Sequence, residues 1–250
     1  MKIKTVIDYF EGFAPLDTAM SFDNVGLLVG SPETEVGTVL VALDITPEVV
    51  EEAEAIGAGL IVSHHPVIFD PLKSIADDSV VYRLIKKNIA ALCMHTNLDL
   101  SPDFGVNTCL ADSVGLKNYG FVEGECLLIG ELDEQMTNRA FAEKVKTALG
   151  CDGLRYTLPD KRVRKIALCS GSGGDLVELA EENGADALLT GEIKHHYILE
   201  ANMLGLAVID AGHFKTENVV AAPLCDRLKR EFPELNVVTS ERCTDGIHYL

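Results

Sequence analysis

Residues 38–66 read TVLVALDITPEVVEEAEAIGAGLIVSHHP, which is the pattern of a strand, a helix and a second strand. Residues 38–43 and 59–62 are almost wholly apolar, as strands of a parallel sheet are when both faces are covered. Between them, residues 47–57 predict a helix that has proline in its first turn and glycine at its end. Two strands joined in this way predict an α/β fold with a mostly parallel sheet.

The same alternation of apolar strands and helices continues on both sides of this unit. Further strands are expected at 89–94, 125–130, 165–169, 186–190 and 206–210, and further helices at 4–13, 79–88, 106–115, 137–149, 175–184, 194–204 and 214–231. We therefore predict two α/β domains whose mostly parallel sheets are flanked by helices. The first would span residues 1–124 and the second residues 125–250, with a C-terminal segment that can return to pack on the first. Residues 239–250 are a candidate for a last edge strand.

Composition restricts the class of protein. The chain has 250 residues, of which 47% are hydrophobic, and no apolar run reaches the roughly 18 residues of a membrane span. Its first residues lack the apolar core of a signal peptide, so we expect a cytoplasmic protein without a membrane partner. The formal net charge of −18 disfavours direct nucleic-acid binding. The seven cysteines never form a C-x-x-C pair, and we expect reduced thiols rather than a cysteine-based zinc site.

Histidines and carboxylates follow the ends of three predicted strands. They are His64 and His65 after residues 59–62, His95 and Asp99 after residues 89–94, and His213 and Glu217 after residues 206–210. In open parallel sheets, functional residues collect beyond the carboxyl ends of the strands. The pattern therefore predicts one or more metal sites at these edges.

The spacing of these residues favours a two-metal site. His64 and His65 precede a proline, and a turn there lets the two rings diverge toward two neighbouring ions. His213 and Glu217 are four residues apart in a predicted helix, so they share one face, and a carboxylate at Glu217 can bridge two ions. We expect two divalent ions per chain, with Zn, Fe, Mn, Co and Ni all compatible with these donors. His95 either binds a metal ion directly or lies outside the coordination sphere and orients a residue that does.

Two other segments carry less specific signals. Residues 170–174, SGSGG, follow a strand and precede a helix, where they either cradle an anion or only form a tight turn. In the segment that follows the next strand, Glu192 is a candidate general base, and His195 and His196 are candidates for contacting a substrate. A solvated helix start explains the same three residues.

Several of these motifs together resemble one family, the dinuclear-metal-centre hexameric proteins, also called GTP cyclohydrolase 1 type 2 homologues or Ngg-interacting-factor-three-like proteins. The resemblance runs in order over nearly the whole chain. Its motifs are FDNVGLLVG (22–30), SHHP (63–66), HTNLD (95–99), GVN (105–107), SGSGG (170–174), TGEIKHH (190–196) and AGHFKTE (211–217).

The resemblance implies a two-domain α/β protomer in a toroidal homohexamer, with dinuclear sites facing an internal cavity. It also implies a metal-ligand set in which Glu217 bridges the ions; the ligands would be His64, His65, Asp99, His213 and Glu217. Some relatives carry an additional domain in mid-chain, and the short connection here over residues 117–165 indicates the compact form without it. The activity in the family's name would open the purine ring of GTP by metal-assisted hydrolysis.

Three hypotheses for function follow. The first is a metal-dependent hydrolase that acts on GTP or on another nucleotide or phosphoester, with Glu192 or His95 as the proton-transfer group. The second is a non-catalytic protein for metal storage or delivery, or a hexameric scaffold. The third is a regulatory protein, which at this net charge would act through a protein partner rather than through DNA.

Overall fold

The computed structural model describes all 250 residues, Met1 to Leu250. Its helices and strands, in chain order, are α1 (Ile3–Phe10), β1 (Gly26–Val29), β2 (Thr38–Ala42), α2 (Pro47–Ala55), β3 (Leu60–Ser63), α3 (Val80–Lys87), β4 (Ala90–Cys93), α4 (Thr96–Asp99), α5 (Val106–Ser113), β5 (Lys117–Phe121), β6 (Leu128–Thr137), α6 (Asn138–Leu149), β7 (Arg155–Tyr156), β8 (Arg162–Cys169), α7 (Val177–Glu182), β9 (Ala187–Thr190), α8 (His195–Leu204), β10 (Ala207–Asp210), α9 (His213–Glu217), α10 (Ala221–Glu231) and β11 (Asn236–Thr239). The α/β fold class predicted from the sequence is confirmed.

The chain forms two compact units. The first contains Met1–Phe104 and Val220–Thr244, and the second contains Gly105–Val219 and Asp245–Leu250. The division therefore lies at residue 104 rather than at 124, because α5 packs on β5, β6 and β8 of the second unit. The C-terminal segment returns to the first unit through α10 and β11, both of which contact β2.

The sheet of the first unit has the order β1-β4-β3-β2-β11. Only β1 is antiparallel to its neighbour, so this sheet is mostly parallel, as predicted. The sheet positions the candidate site because β3 and β4 are parallel neighbours whose last residues, Ser63 and Cys93, are in register. The segments that begin at His64 and at Met94 therefore leave the same edge of the sheet side by side.

The sheet of the second unit is mixed. Its order is β5-β6-β8-β9-β10-β7, and only β8, β9 and β10 run parallel. Strands β5, β6 and β7 pair antiparallel, which corrects the expectation of a mostly parallel sheet here. The physical reason is that β5 and β6 are joined by a short connection that reverses the chain, whereas a parallel pair needs a long crossover.

The strands that the sequence did not indicate are short or exposed. β5 is largely exposed, β7 has only two residues, and β11 has one buried position. Such edge strands lack the continuous apolar run that marks a buried strand. The edge strand that joins the first sheet, β11, ends at Thr239, and residues 240–250 form no strand.

None of the helices is both long enough and apolar enough to cross a lipid bilayer. The seven cysteines are all free thiols. Burial raises the pKa of the Cys109 thiol to about 12, which keeps that thiol protonated at neutral pH.

Candidate metal centre

Three histidines of the first unit lie together beyond the ends of β3 and β4. The ring centroids of His64, His65 and His95 are 5.0 to 5.6 Å apart. One ring nitrogen of each histidine lies within 4.8 Å of the corresponding nitrogens of the other two. The register of β3 with β4 therefore brings His95 to the adjacent pair, although the two segments are 30 residues apart in the chain.

Each of these rings is oriented by a hydrogen bond at Nδ1. The acceptors are the Met94 carbonyl oxygen for His64 (2.9 Å), the Asp44 carboxylate for His65 (2.7 Å) and the Asp23 carboxylate for His95 (2.8 Å). A carbonyl or an ionised carboxylate has no proton to give, so the Nδ1 atom of each ring carries the proton and donates it. When such a ring is neutral, its lone pair is on Nε2, which is the arrangement found in metal-ligating histidines.

Asp99 adds a carboxylate to this group. It belongs to α4, the short helix that follows His95, and its Oδ1 lies 3.6 Å from His64 Nε2. Both residues are buried, with 3% exposure for His64 and 8% for Asp99. A carboxylate and an imidazole at this separation, shielded from water, are chemically suited to hold a divalent cation.

Asp23 is held in its ionised form. Burial by itself raises the pKa of this carboxyl group, but hydrogen bonds from His95 and from the Thr96 hydroxyl and backbone N–H outweigh that effect. The net result is a pKa well below the usual range. Asp23 is consequently a carboxylate at neutral pH and a permanent acceptor for His95.

The second unit presents the other predicted pair on α9. His213 begins this helix directly after β10, and Glu217 lies one turn further along, with Glu217 Oε2 3.1 Å from His213 Nε2. Gly212 adopts a φ of 89°, a left-handed value that lets the chain turn sharply into the helix. On its other side, His213 Nδ1 lies 3.1 Å from Glu192 Oε1. The predicted shared face of His213 and Glu217 is thus present, and Glu192 orients the histidine.

The SGSGG loop packs against Glu217, which is 4% exposed. A Cβ atom added to Gly171 would lie 2.1 Å from Glu217 Oε1, so a larger residue at this position would have to displace the carboxylate. The Gly171 N–H also donates to the Thr216 hydroxyl at 3.0 Å, which ties the SGSGG loop to α9. The loop therefore positions the carboxylate of Glu217, a role that the sequence alone did not indicate.

A cavity of about 350 Å³ opens beside Glu192 in the second unit. Its walls include Arg155, Lys194 and Tyr197 together with part of the SGSGG loop. The candidates His195 and His196 are exposed at the start of α8 and do not line this cavity.

Comparison with known proteins identifies the family. The sequence matches the model of the Duf34/NIF3 (NGG1p interacting factor 3) family over residues 1–246. The chain belongs to the Duf34/NIF3 family.

Relatives of the chain are named for one activity. A protein of Clostridium acetobutylicum named GTP cyclohydrolase 1 type 2 homolog is 34% identical over 230 residues, which cover 87% of this chain and 85% of the relative. A protein of the same name from Staphylococcus aureus is 27% identical, and its alignment covers both chains fully over 367 residues. This alignment is longer than the 250 residues here, so that relative carries inserted residues which this compact Duf34/NIF3 chain lacks.

A solved structure has the same fold. The crystal structure of the Staphylococcus aureus hypothetical protein SA1388 superposes with a TM-score of 0.94 at 32% sequence identity, covering 100% of this chain and 99% of that chain. The fold of that structure is therefore present over the full length of the protein.

The donors in each unit fit a divalent transition metal. Neutral imidazole Nε2 atoms and carboxylate oxygens are the ligands that Zn, Fe, Mn, Co and Ni accept. Sequence reasoning found these donors but did not assign a role to Asp23, which orients His95. The FDN segment at residues 22–24 signals a turn, and a turn gives no indication of what its aspartate contacts 72 residues away.

Proposed function

We propose that the protein binds two divalent metal ions and is a metal-dependent hydrolase of GTP or of another nucleotide or phosphoester. The observation that carries the proposal is the group of three histidines in the first unit, each with its Nδ1 proton fixed on an acceptor and its lone pair on Nε2. Proteins use this arrangement to present imidazole to a metal. The name of the relatives supports GTP as the first substrate to examine.

The proposed ligand set is the one that the family resemblance implies. It comprises His64, His65, Asp99, His213 and Glu217. The donor chemistry within each unit supports that unit's own members: His64 with Asp99 in the first, and His213 with Glu217 in the second. Bound ions of this kind polarise a substrate oxygen and lower the pKa of a coordinated water.

The protein's own residues complete the site. Glu192 Oε1 lies 3.1 Å from His213 Nδ1, and the Glu192 side chain is largely exposed, so it is the proposed proton-transfer group. Lys194 lines the neighbouring cavity, where it offers positive charge to a phosphoryl group in a protein whose net charge is −18. Arg155 also lines the cavity and is paired with Asp210, and Asp175 adds a carboxylate to the same wall. Glu192 therefore connects the proposed metal ligands with the place where a phosphorylated substrate would lie.

The assembly is proposed on the strength of the family resemblance, which implies a toroidal homohexamer. A cytoplasmic location is proposed from the composition of the chain. Light scattering coupled to size-exclusion chromatography tests the assembly, with a mass of six 27.0 kDa chains as the expected result. A monomeric mass at micromolar concentration would contradict it.

Metal content is the first test of the site. Untagged protein purified without chelators should contain about two metal ions per chain by mass spectrometry, and the His65→Ala and Glu217→Gln variants should lose metal. An exposed-histidine variant, His248→Gln, serves as the control and should retain it. Sub-stoichiometric metal that neither substitution changes would remove the metal site and the hydrolase proposal with it.

Turnover is the second test. Metal-loaded protein should hydrolyse GTP or another member of a panel of nucleotides and phosphoesters with saturation kinetics, and Glu217→Gln should abolish the reaction. Reversible uptake and release of metal without turnover of any panel member would favour the alternative of a metal storage, delivery or scaffold protein.

A further inference from the structure

Asp23 makes an unusually complete set of hydrogen bonds in the first unit. Its side chain is 0% exposed. Oδ1 accepts from His95 Nδ1 at 2.8 Å and from the Asn24 backbone N–H at 2.7 Å, and Oδ2 accepts from the Thr96 backbone N–H at 3.0 Å and from the Thr96 hydroxyl. Both oxygens are therefore occupied by donors in fixed positions.

The loop that carries Asp23 is itself anchored on two sides. The Met20 N–H donates to the Thr96 hydroxyl at 2.9 Å, and the Asn24 side-chain amide donates to the Ile68 carbonyl at 2.6 Å. One anchor belongs to the segment after β4 and the other to the segment after β3. Movement of this loop away from His95 would therefore break contacts to both segments.

The environment of His95 matches that of the two histidines assigned as ligands. His64 and His65 each donate from Nδ1 to an oxygen acceptor, and His95 does the same toward Asp23. All three rings offer a nitrogen to one cluster in which those nitrogens lie within 4.8 Å of one another. The family resemblance includes the first two among the ligands and leaves His95 out.

We propose that His95 is a third imidazole ligand in the first unit and that Asp23 is the positioning residue that presents it. This inference rests on the proposed metal-binding function. Asp23 fixes the Nδ1-protonated tautomer of His95 and so keeps the Nε2 lone pair directed toward the cluster. It also makes the ring a stronger donor to a metal, because a carboxylate acceptor at Nδ1 increases electron density on the imidazole.

A purely structural role for the same hydrogen bonds makes a different prediction. If Asp23 only ties residues 20–24 to the sheet edge, its loss would lower stability but would leave metal affinity and the metal's ligand field unchanged. Metal binding and stability must therefore be measured separately, on full-length protein.

The experiment compares Co²⁺ binding by wild type, Asp23→Asn and His95→Gln after removal of metal with a chelator. Affinity is measured by competition with a chromogenic chelator, and the visible absorption of bound Co²⁺ reports its ligands. Asp44→Asn is the matched comparison at the acceptor of His65. Asp112→Asn is the negative control, because Asp112 accepts a hydrogen bond from Tyr119 on the exposed surface of the second unit.

We expect Asp23→Asn and Asp44→Asn to weaken Co²⁺ binding by about 10- to 100-fold, the range typical of lost outer carboxylates. His95→Gln should weaken binding at least as much and should change the Co²⁺ spectrum, whereas Asp112→Asn should change neither. Circular dichroism and the melting temperature of the metal-free proteins establish that each variant is folded.

Wild-type affinity and spectrum in a folded His95→Gln variant would overturn the proposal, whatever the result for Asp23→Asn. If Asp23→Asn fails to fold, His95→Gln decides alone. Wild-type protein that binds no metal would remove the proposed function. Wild-type protein that binds two ions, beside a His95→Gln variant with unchanged binding, would remove only the role of His95 and Asp23.

Discussion

At the residue scale, Gly171 shows how closely the second unit is built around Glu217. The φ of Gly171 is +56°, and a Cβ there would overlap the Glu217 carboxylate. Gly150 has nearly the same φ, +59°, but a Cβ there would meet nothing within 4 Å. Alanine substitutions at the two glycines therefore distinguish the effect of backbone strain, which both would have, from displacement of the Glu217 carboxylate, which only Gly171→Ala would cause.

We predict that Gly171→Ala abolishes or strongly weakens metal binding, while Gly150→Ala leaves it intact. Both should lower the free energy of unfolding by about 1–3 kcal/mol from strain at positive φ, with a larger loss at Gly171. Metal titration and urea denaturation of metal-free protein measure the two effects. Equal metal affinity in both variants would contradict the close fit of the loop to Glu217.

The ionised side chain of Asp23 makes the stability of the protein depend on pH. Its folded-state pKa lies below the value of about 3.9 expected in the unfolded chain, so its contribution to stability is present above that value and is lost as pH falls through the folded pKa. We predict that Asp23→Asn lowers the free energy of unfolding of metal-free protein by about 1–3 kcal/mol at pH 7. The difference in free energy of unfolding between variant and wild type should decrease below about pH 4. Urea titrations across this range test the sign, and a difference that increases toward low pH would contradict it.

Substitution of Arg155 tests whether a phosphoryl group binds in the cavity beside Glu192. Its guanidinium bonds to Asp210 and to the Ile193 carbonyl while lining the cavity. If a phosphoryl group binds there, Arg155→Gln should raise the KM for a phosphorylated substrate about tenfold or more, because a charge-assisted hydrogen bond is lost. Arg83→Gln, at an exposed ion pair of the first unit, is the control. An unchanged KM in Arg155→Gln, with turnover intact, would exclude this cavity as the phosphoryl subsite.

At the scale of elements, local signals explain most helices. The predicted helix at 137–149 is α6, Asn138–Leu149, because Thr137 caps it and Gly150 ends it in the left-handed conformation. The Thr137 hydroxyl accepts from the Ala140 N–H at 3.2 Å. These signals lie within a few residues of the helix ends, which is why the sequence predicts them.

We predict that Thr137→Ala lowers the free energy of unfolding by about 1 kcal/mol, since it leaves an N-terminal N–H of α6 without its cap. Thr147→Ala, an exposed change inside the same helix, should be neutral or slightly stabilising because alanine has the higher helix propensity. Urea denaturation measures both. A loss at Thr147 equal to that at Thr137 would contradict the capping role.

At the scale of the whole molecule, the first unit is completed by residues from the end of the chain. Strand β11 pairs with β2 in parallel, and Leu224 and Leu228 of α10 are buried. A chain that ends at residue 219 would leave β2 as an uncovered edge and expose the surface under α10.

We predict that truncation after residue 219 gives an aggregating or partly folded protein. Truncation after residue 244 should stay folded, because it removes only residues 245–250 of the second unit. Circular dichroism and size-exclusion chromatography distinguish the two. A soluble, cooperatively melting chain of 219 residues would show that α10 and β11 are dispensable for the first unit.

The sequence by itself determined the α/β class, the buried strands and the residues that follow them. Burial and turn signals act over a few neighbouring residues, so the segments beginning at His64, His95 and His213 were recognisable as strand ends. The compact form without an inserted domain also followed from the sequence, through its motifs and the shortness of the middle connection.

Only the tertiary structure decided what those residues contact. It placed Asp23 against His95 across 72 positions, Asp44 against His65 and Gly171 against Glu217, and it assigned residues 220–244 to the first unit. It also showed that the second sheet is mixed. The sequence did not indicate β5 and β7, because neither strand has an apolar run. The physical reason is common to all these cases: hydrogen bonds and strand pairings between distant segments depend on the register of the sheets, and register is set by the packing of the whole unit rather than by any local stretch of sequence.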